Sequence, residues 1–342
     1  VTSYDKTSPK LSVIEGSKIY AKLAEQVRQD NLLDRSYTYY FFLISFIFIG
    51  FATSLFFLIL SKSPLAYLPL TIIFSFFAVQ LGGLMHDSGH KAIFKTAKAN
   101  DILGHFVSSL IGMTYNSWKI KHNLHHANTN QVGVDDDVTD FPFLSFSRER
   151  YDESKGLWRK IQKHQVYFYY PFLSLFNISM RLYPTPYFFS KFSLTKFIEL
   201  VVFVVSIFAW FILPFILFDP LKAILFFATV NIIMGIYLGN VFAPNHKGMP
   251  LLKKGQKISF LEQQIMTSRN ISGNWWRDIL YLGLNIQIEH HLFTNCPRNK
   301  LRKITPYVRA ICKEYNLEYT ETGIIKSNKI ILGELSKVVS VV

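Results

Sequence analysis

Three short motifs and one isolated residue hold eight of the ten histidines in this chain. The motifs are His86-Asp-Ser-Gly-His90, His122-Asn-Leu-His125-His126 and Gln287-Ile-Glu-His290-His291. The isolated residue is His246, just past a long apolar stretch. Neutral imidazole is the commonest metal ligand among side chains. Eight imidazoles exceed what one structural zinc takes, since such sites are almost always four-coordinate. A donor set this rich in nitrogen, in a largely apolar chain, suggests two redox metals, with iron the first candidate. The chemistry expected is oxidation, carried out at the edge of a membrane.

Spacing assigns the imidazoles to faces. His86 and His90, four apart, share one face of a helix. Ser88 and Gly89 between them are small enough to let another element approach. Asp87 reads either as an orienting partner for an imidazole or as a solvated carboxylate. His122 pairs with His125 and His126 at i+3 and i+4, while His125 and His126, being adjacent, diverge by about 100° on a helix. Adjacent ligands therefore suit two metals. Gln287 stands three before His290 and four before His291, and its amide is expected to act as a weak ligand or a hydrogen-bonding neighbour. Glu289 is expected to hydrogen-bond or form an ion pair. His246 is read as a ligand at the depth of His90, with Asn245 a candidate holder of metal-bound water. His105 and His164 lack partners at useful spacing and read as structural. Of Asp135, Asp136 and Asp137, one could orient a ligand histidine, although acidic triplets are usually solvated. Lys119 and Lys121 read as solvated surface, and Trp118, Trp275 and Trp276 as anchors at a membrane interface.

Four charge-free runs must position these groups: Thr38–Leu60, Leu65–Met85, Leu200–Phe218 and Ala223–Phe242. Each is long enough to cross the roughly 30 Å hydrocarbon core as a helix. They form two hairpins, turning at Ser61–Pro64 and Asp219–Lys222. Of the 37 basic residues only Lys62 and Lys222 lie in those turns. The rule that positive charge stays inside then makes the opposite side cytoplasmic, together with both termini and all eight histidines. Two shorter runs without acidic or basic residues, Ile102–Trp118 and Val166–Met180, read as interfacial or re-entrant helices. Leu11–Asp34 reads as an amphipathic helix in a cytosolic N-terminal segment, 1–37, ahead of a membrane domain over 38–342. The tail from Arg298 onward is expected to form short helices covering the site.

The bulk numbers agree. Half of the 342 residues are hydrophobic, net charge is +14, and mean hydropathy is +0.20 with a pI near 9.5. So basic a chain could bind nucleic acid, but long apolar runs beside the cations indicate anionic lipid as the neighbour instead. Cys296 and Cys312 lack metal-ligand spacing and do not suggest a disulfide framework. The first 37 residues contain no short apolar core, so no cleavable signal is expected, and a bacterial inner membrane is favoured over endoplasmic reticulum.

The order H-x3-H, H-x2-H-H and Q-x2-H-H across four spans resembles the membrane-bound fatty acid desaturases. The gaps fit as well: 31 residues separate His90 from His122, and 163 separate His126 from His290. The stretch Gln287 to Phe293, followed by Pro297 and Arg298, is similar to the acyl-lipid and front-end branch, whose members carry Gln where others carry His.

The resemblance implies an all-α integral membrane fold, with four transmembrane helices in two hairpins and a cytosolic helical cap holding a di-iron site. It implies His86, His90, His122, His125, His126, His246, His290 and His291 as ligands of two irons. It also implies O2-dependent removal of two hydrogens from adjacent methylenes, giving a cis double bond and water. The substrate would be an acyl lipid or acyl-CoA lying among membrane lipids. No His-Pro-Gly-Gly haem signature occurs. Electrons are therefore expected from an external carrier of ferredoxin or cytochrome b5 type with its reductase. The same metal site could instead serve a fatty acid or sterol hydroxylase. A metal transporter or sensor fits less well, because transport favours ionisable residues inside the spans and the four runs contain none.

Overall fold

The computed structural model describes residues 9–138 and 142–340. The architecture is helical: among the described residues the named strands are Asn270–Ile271 and Glu321–Thr322, two residues each, paired in parallel. Among the described residues, four helices are long and apolar enough to cross a membrane: Tyr37–Leu60, Ala66–Gly89, Leu194–Leu217 and Pro220–His246. The second belongs to a helix that starts at Pro64, where proline's fixed φ suits the first turn.

The ends of these spans depart from the charge-free runs. The third begins at Leu194, six residues earlier than expected, because the Ser193 side chain caps the Lys196 amide. Lys196 and Glu199 therefore lie inside the span, and the expectation of spans free of ionisable groups is corrected. Glu199 is tolerated because it accepts from the Asn116 amide (2.8 Å), Asn116 Nδ2 (3.1 Å) and the Tyr187 hydroxyl (2.9 Å). Five residues of the same span, Phe208–Ile212, are wound as a π-helix. Pro214 follows and cannot donate to the Trp210 carbonyl, the kind of local mismatch that a π turn absorbs. The second span continues to Gly89 with His90 as its C-cap, and the fourth runs through Pro244 to His246. His246 is thus the last helical residue rather than part of a following loop.

The chain forms two compact units. One comprises Arg35–Ile120 and Pro171–Gly239; the other comprises Val1–Asp34, Lys121–Tyr170 and Asn240–Val342. In the first unit, Phe74 stacks on Phe51 and meets Trp210 and Phe226. The run Ile102–Trp118 is broken: one helix, Ala97–Leu110, ends at a turn where Gly112 has φ 68°, and the next begins at Tyr115. The carbonyls at that break find donors. Ser206 Oγ donates to Ser109 O (2.6 Å), Trp210 Nε1 to Leu110 O (2.9 Å) and Arg181 Nη2 to Ile111 O (2.6 Å). A helix end among apolar spans needs such partners, since hydrocarbon offers none. Beyond Pro171, the second ambiguous run packs on the middle of the fourth span. Leu173 and Ser174 present their carbonyls to Gly235, and Asn177 Nδ2 donates to Asn231 Oδ1 (2.8 Å). The first run and the part of the second beyond Pro171 are thus packed into this unit. At the opposite end of the spans, Lys222 Nζ donates to Ser61 O (2.8 Å), tying the two interhelical turns together.

The second unit carries the third histidine motif. The amphipathic helix expected near the N-terminus is Val13–Gln29, capped by Ser12. Its buried stripe of Ile19, Leu23 and Val27 packs with Leu261 and Ile265, with Ile288 and Leu292, and with Ile304, Val308 and Ile311. Full burial of such side chains stabilises by about 1.5–3 kcal/mol each. This core fixes the short helix Gln287–Leu292 from beneath. The tail supplies two further helices, Leu301–Glu314 and Ile324–Val339.

Candidate metal centre

Six histidines of the second unit come together from the ends of two helices and from a third. His122, His125 and His126 lie on Tyr115–Ala127, His246 ends Pro220–His246, and His290 and His291 lie on Gln287–Leu292. Adjacent residues on a helix face different ways, so each His-His pair divides. His125 and His291 turn to His246, with ring centroids 4.7–5.1 Å apart. His126 turns instead to His122 (4.6 Å) and His290 (4.9 Å). Within each trio the donor atoms lie within 4.8 Å of one another.

Hydrogen bonding fixes which nitrogen faces inward. His246 Nδ1 lies 3.0 Å from the Thr267 carbonyl, which can only accept. His125 Nδ1 lies 2.9 Å from Asp135 Oδ2. That carboxylate also takes the backbone amides of Asn130 (2.8 Å) and Asp137 (2.9 Å). His291 Nδ1 lies 2.7 Å from Gln264 Oε1. The Gln264 amide is oriented in turn because its Nε2 donates to the His126 carbonyl (3.1 Å), and its Oε1 also accepts from Thr129 Oγ1 (2.9 Å). Each Nδ1 therefore carries the proton, which leaves the lone pair on each Nε2; at His246 that lone pair faces Gln287 Nε2 at 2.9 Å. Outer partners of this kind orient metal-binding imidazoles and raise their basicity.

In the second trio, His122 Nε2 and His126 Nε2 stand 3.1 Å apart. Two nitrogens bound at right angles to one metal, with bonds of about 2.1 Å, would be separated by about 3 Å. The donor chemistry thus fits first-row metal ions such as iron, which imidazole suits.

Burial disfavours a charge on His125, yet Asp135 beside it, with Asp137, raises its pKa. Asp135, Asp137 and His125 could in principle make a separate metal site. The Asp135 oxygens are already committed to N–H donors, however, and Asp137 pairs with Lys121 Nζ (2.9 Å). Of the acidic triplet, Asp135 is the residue that holds a histidine. Lys119 and Lys121, read as solvated surface, are instead paired with Asp101 and Asp137.

Gln287 and Asn245 form a buried amide pair. Asn245 Nδ2 reaches Val241 O (2.9 Å), Leu284 O (3.0 Å) and Gln287 Oε1 (3.2 Å), which turns Gln287 Nε2 toward His246 Nε2 (2.9 Å). Glu289 is fully buried and accepts from Asn270 Nδ2 and the Tyr319 hydroxyl, both at 2.8 Å. Burial raises its pKa despite those donors. Glu289 therefore anchors the helix through hydrogen bonds, as expected.

In the first unit, His86 and His90 lie with ring centroids 4.7 Å apart. Asp87 accepts from the buried Tyr40 hydroxyl (3.0 Å) and lies 3.4 Å from His86 Nδ1. Trp118, read as an interface anchor, packs edge-on to His86 at 5.9 Å. A side chain at Gly89 would strike its ring, which explains that glycine. His105 rests on Tyr115, and His164 is exposed.

Gln264, Thr129 and Thr267 were not foreseen. The sequence signal, a pair of glutamines in a short helix, becomes readable only once Phe260–Thr267 is known to be buried.

Comparison with known proteins agrees with this chemistry. Residues 62–323 match the family described as fatty acid desaturase. The acyl-lipid (9-3)-desaturase of Physcomitrium patens is 30% identical over 299 residues, 84% of this chain and 56% of the relative. The acyl-lipid 8-desaturase of Rebecca salina is 31% identical over 255 residues, 72% and 57% of the two chains. The Delta(5) fatty acid desaturase fat-4 of Caenorhabditis elegans is 31% identical over 321 residues, 89% and 70%. The chain thus spans somewhat over half the length of the first two.

Proposed function

Because this chain belongs to the fatty acid desaturase family, we propose that it introduces a cis double bond into an acyl chain, using O2 and two electrons from an external carrier. The observation that carries the reading is the His125, His246 and His291 trio, whose Nδ1 atoms all face acceptors. We assign His86, His90, His122, His125, His126, His246, His290 and His291 as ligands of two irons, with Gln287, Asn245 and Asp87 as orienting neighbours. Bound iron would supply the oxidation of an unactivated C–H bond, which offers no acidic proton for acid–base groups to remove. The chain's own residues do the positioning. Asp135, Thr267 and Gln264 hold the imidazole tautomers, the Glu289–Asn270–Tyr319 group holds the helix that carries His290 and His291, and the apolar spans receive the acyl chain.

An acyl lipid is the favoured substrate class, since two of the relatives are named for one; acyl-CoA is the alternative. The electron donor is of ferredoxin or cytochrome b5 type. We read residues 38–342 as one membrane domain, with two hairpins of spans and a cytosolic cap. The turns that carry Lys62 and Lys222 face away from the cytoplasm, and the bond from Lys222 to Ser61 supports a common side for them. The relatives named above are eukaryotic and lend no support to a bacterial inner membrane.

The test is gas chromatography–mass spectrometry of total fatty acids, with double bonds located by derivatisation. Cells expressing the chain are compared with cells expressing His290→Ala/His291→Ala. A new unsaturated species in the wild type alone is expected. A new hydroxy acid would convert the reading to a hydroxylase. An unchanged profile in cells supplied with a donor and acyl lipids would refute it.

A further inference from the structure

The second unit exposes an apolar patch rimmed by cations. Trp275 is 71% exposed, Ile325 72% and Trp276 42%. Ile325 lines a shallow groove with Arg277, Gly323, Ile324, Lys326 and Lys329, and Trp275 and Trp276 directly precede Arg277 on the helix Trp275–Leu280. No carboxylate lines it, and the nearby acids are engaged elsewhere: Asp278 with Arg302, and Glu321 with Arg309. Arg277 is held in place. Its stem lies over Gly273, where any side chain would collide with it, and its guanidinium crosses the Trp276 ring at 5.1 Å.

Indole and aliphatic groups beside lysine and arginine match the headgroup layer of a bilayer, where amphipathic rings rest and cations meet phosphate. Trp275 stands two residues before Arg277 and Ile325 shares a groove with it, so two largely exposed apolar side chains flank one cation, a combination that marks an interaction surface. The chain also carries four spans, so a bilayer surface is always in its company.

We propose that this groove is a docking site for phospholipid headgroups at the bilayer surface. Trp275 and Ile325 enter the interfacial layer, while Arg277, Lys326 and Lys329 hold lipid phosphates, with anionic phospholipid preferred. The occupant is a lipid rather than an acidic protein because the patch is apolar at its most exposed points and basic at its rim. The proposal does not depend on desaturation.

The test uses the full chain in nanodiscs whose lipids carry a nitroxide near the headgroup end of the acyl chain. Trp275→Phe should remove a lipid-quenched component of the tryptophan fluorescence and leave iodide quenching unchanged. Loss of an iodide-quenched component with unchanged lipid quenching would overturn the proposal. Separately, chain purified from an equimolar phosphatidylcholine and phosphatidylglycerol mixture is analysed for retained lipid. Lys326→Gln/Lys329→Gln should lower the phosphatidylglycerol enrichment, by up to about five-fold per cation. Equal enrichment would overturn the phosphate assignment. Weakened binding of an acidic one-electron carrier protein, with both lipid readouts intact, would give the surface to a protein partner instead.

Discussion

Replacing Asp135 by Asn removes one charge and one acceptor while keeping the shape. The wild-type carboxylate takes three N–H groups: His125 Nδ1 at 2.9 Å, the Asn130 amide at 2.8 Å and the Asp137 amide at 2.9 Å. An asparagine has one acceptor oxygen and one donor nitrogen. With the nitrogen at the Oδ1 position, it opposes the Asp137 amide, at a cost of about 1–3 kcal/mol for a buried donor left unsatisfied. With the nitrogen at Oδ2, it opposes His125 Nδ1 and the Asn130 amide, and His125 is driven to carry its proton on Nε2. That proton would occupy the space shared with His246 and His291. Either way the variant loses stability, and loss of an outer-shell partner typically weakens metal binding by about 10–100-fold. Iron retained by purified protein across a chelator series, measured by plasma mass spectrometry, reads the second effect; thermal melting in detergent reads the first. Asp136→Asn, at an exposed neighbour, should change neither. A variant that melts lower yet retains iron within about two-fold of wild type across the chelator series would refute the tautomer argument, leaving Asp135 a purely structural residue.

Other consequences follow from packing and burial. Gly235→Ala would place Cβ 2.5 Å from the backbone carbonyls of Leu173 and Ser174, which cannot swing aside. The expected cost is about 1–3 kcal/mol, and an unchanged melting temperature would contradict the close approach. Burial, reinforced by Glu289, pushes the Cys312 thiol from 9.0 up to about 12. Below pH 9 its thiolate fraction is then about a thousandfold smaller than that of an ordinary thiol. Alkylation of Cys312 by iodoacetamide should rise about tenfold per pH unit from that low base, and in denaturant should match a free thiol; fast alkylation of the native protein at pH 8 would refute the burial. Gln287→His places an imidazole beside His246 and should retain iron and partial activity, whereas complete loss of iron would exclude an orienting or weak-ligand role for Gln287.

What could be read from the sequence is what local spacing encodes. Histidines three and four apart reveal a shared helical face, and a bilayer imposes a composition rule on about 20 consecutive residues. Both signals survive without knowledge of the fold. Charge-free runs have a definite blind spot: the third begins only after Glu199, a carboxylate inside the span that three donors make tolerable. The partners of the histidines were not legible for a different reason. Gln264 reaches Thr129 and His126 across more than 130 residues of chain, and the acceptor for His246 is a backbone carbonyl, which no residue type announces. The packing of Trp118 over Gly89 was not legible either, because an aromatic near a span suits an interface as well as it suits the space above a glycine.

The third motif's glutamine gains its meaning from this outer layer. Asn245 must direct its nitrogen at two carbonyls, Val241 O and Leu284 O, so the Gln287 oxygen is drawn to Asn245 and the Gln287 nitrogen to His246 Nε2. Both ring nitrogens of His246 are then engaged, Nδ1 by Thr267 O and Nε2 by Gln287. The lone pair that a metal would use at His246 is shared with an amide N–H. Metal binding there requires the Gln287 amide to turn, which breaks its bond to Asn245 at the end of the fourth span. A histidine in place of Gln287 would have no such linkage to Asn245 Nδ2 unless it offered a bare nitrogen, and that nitrogen would then be lost to the trio. If the His125, His246 and His291 trio holds metal as proposed, glutamine at this position would couple its occupancy to the packing of two helices, Pro220–His246 and Gln287–Leu292. The residue that separates this motif from its histidine counterparts would then act through orientation and linkage, leaving the trio three nitrogen donors once the amide has turned.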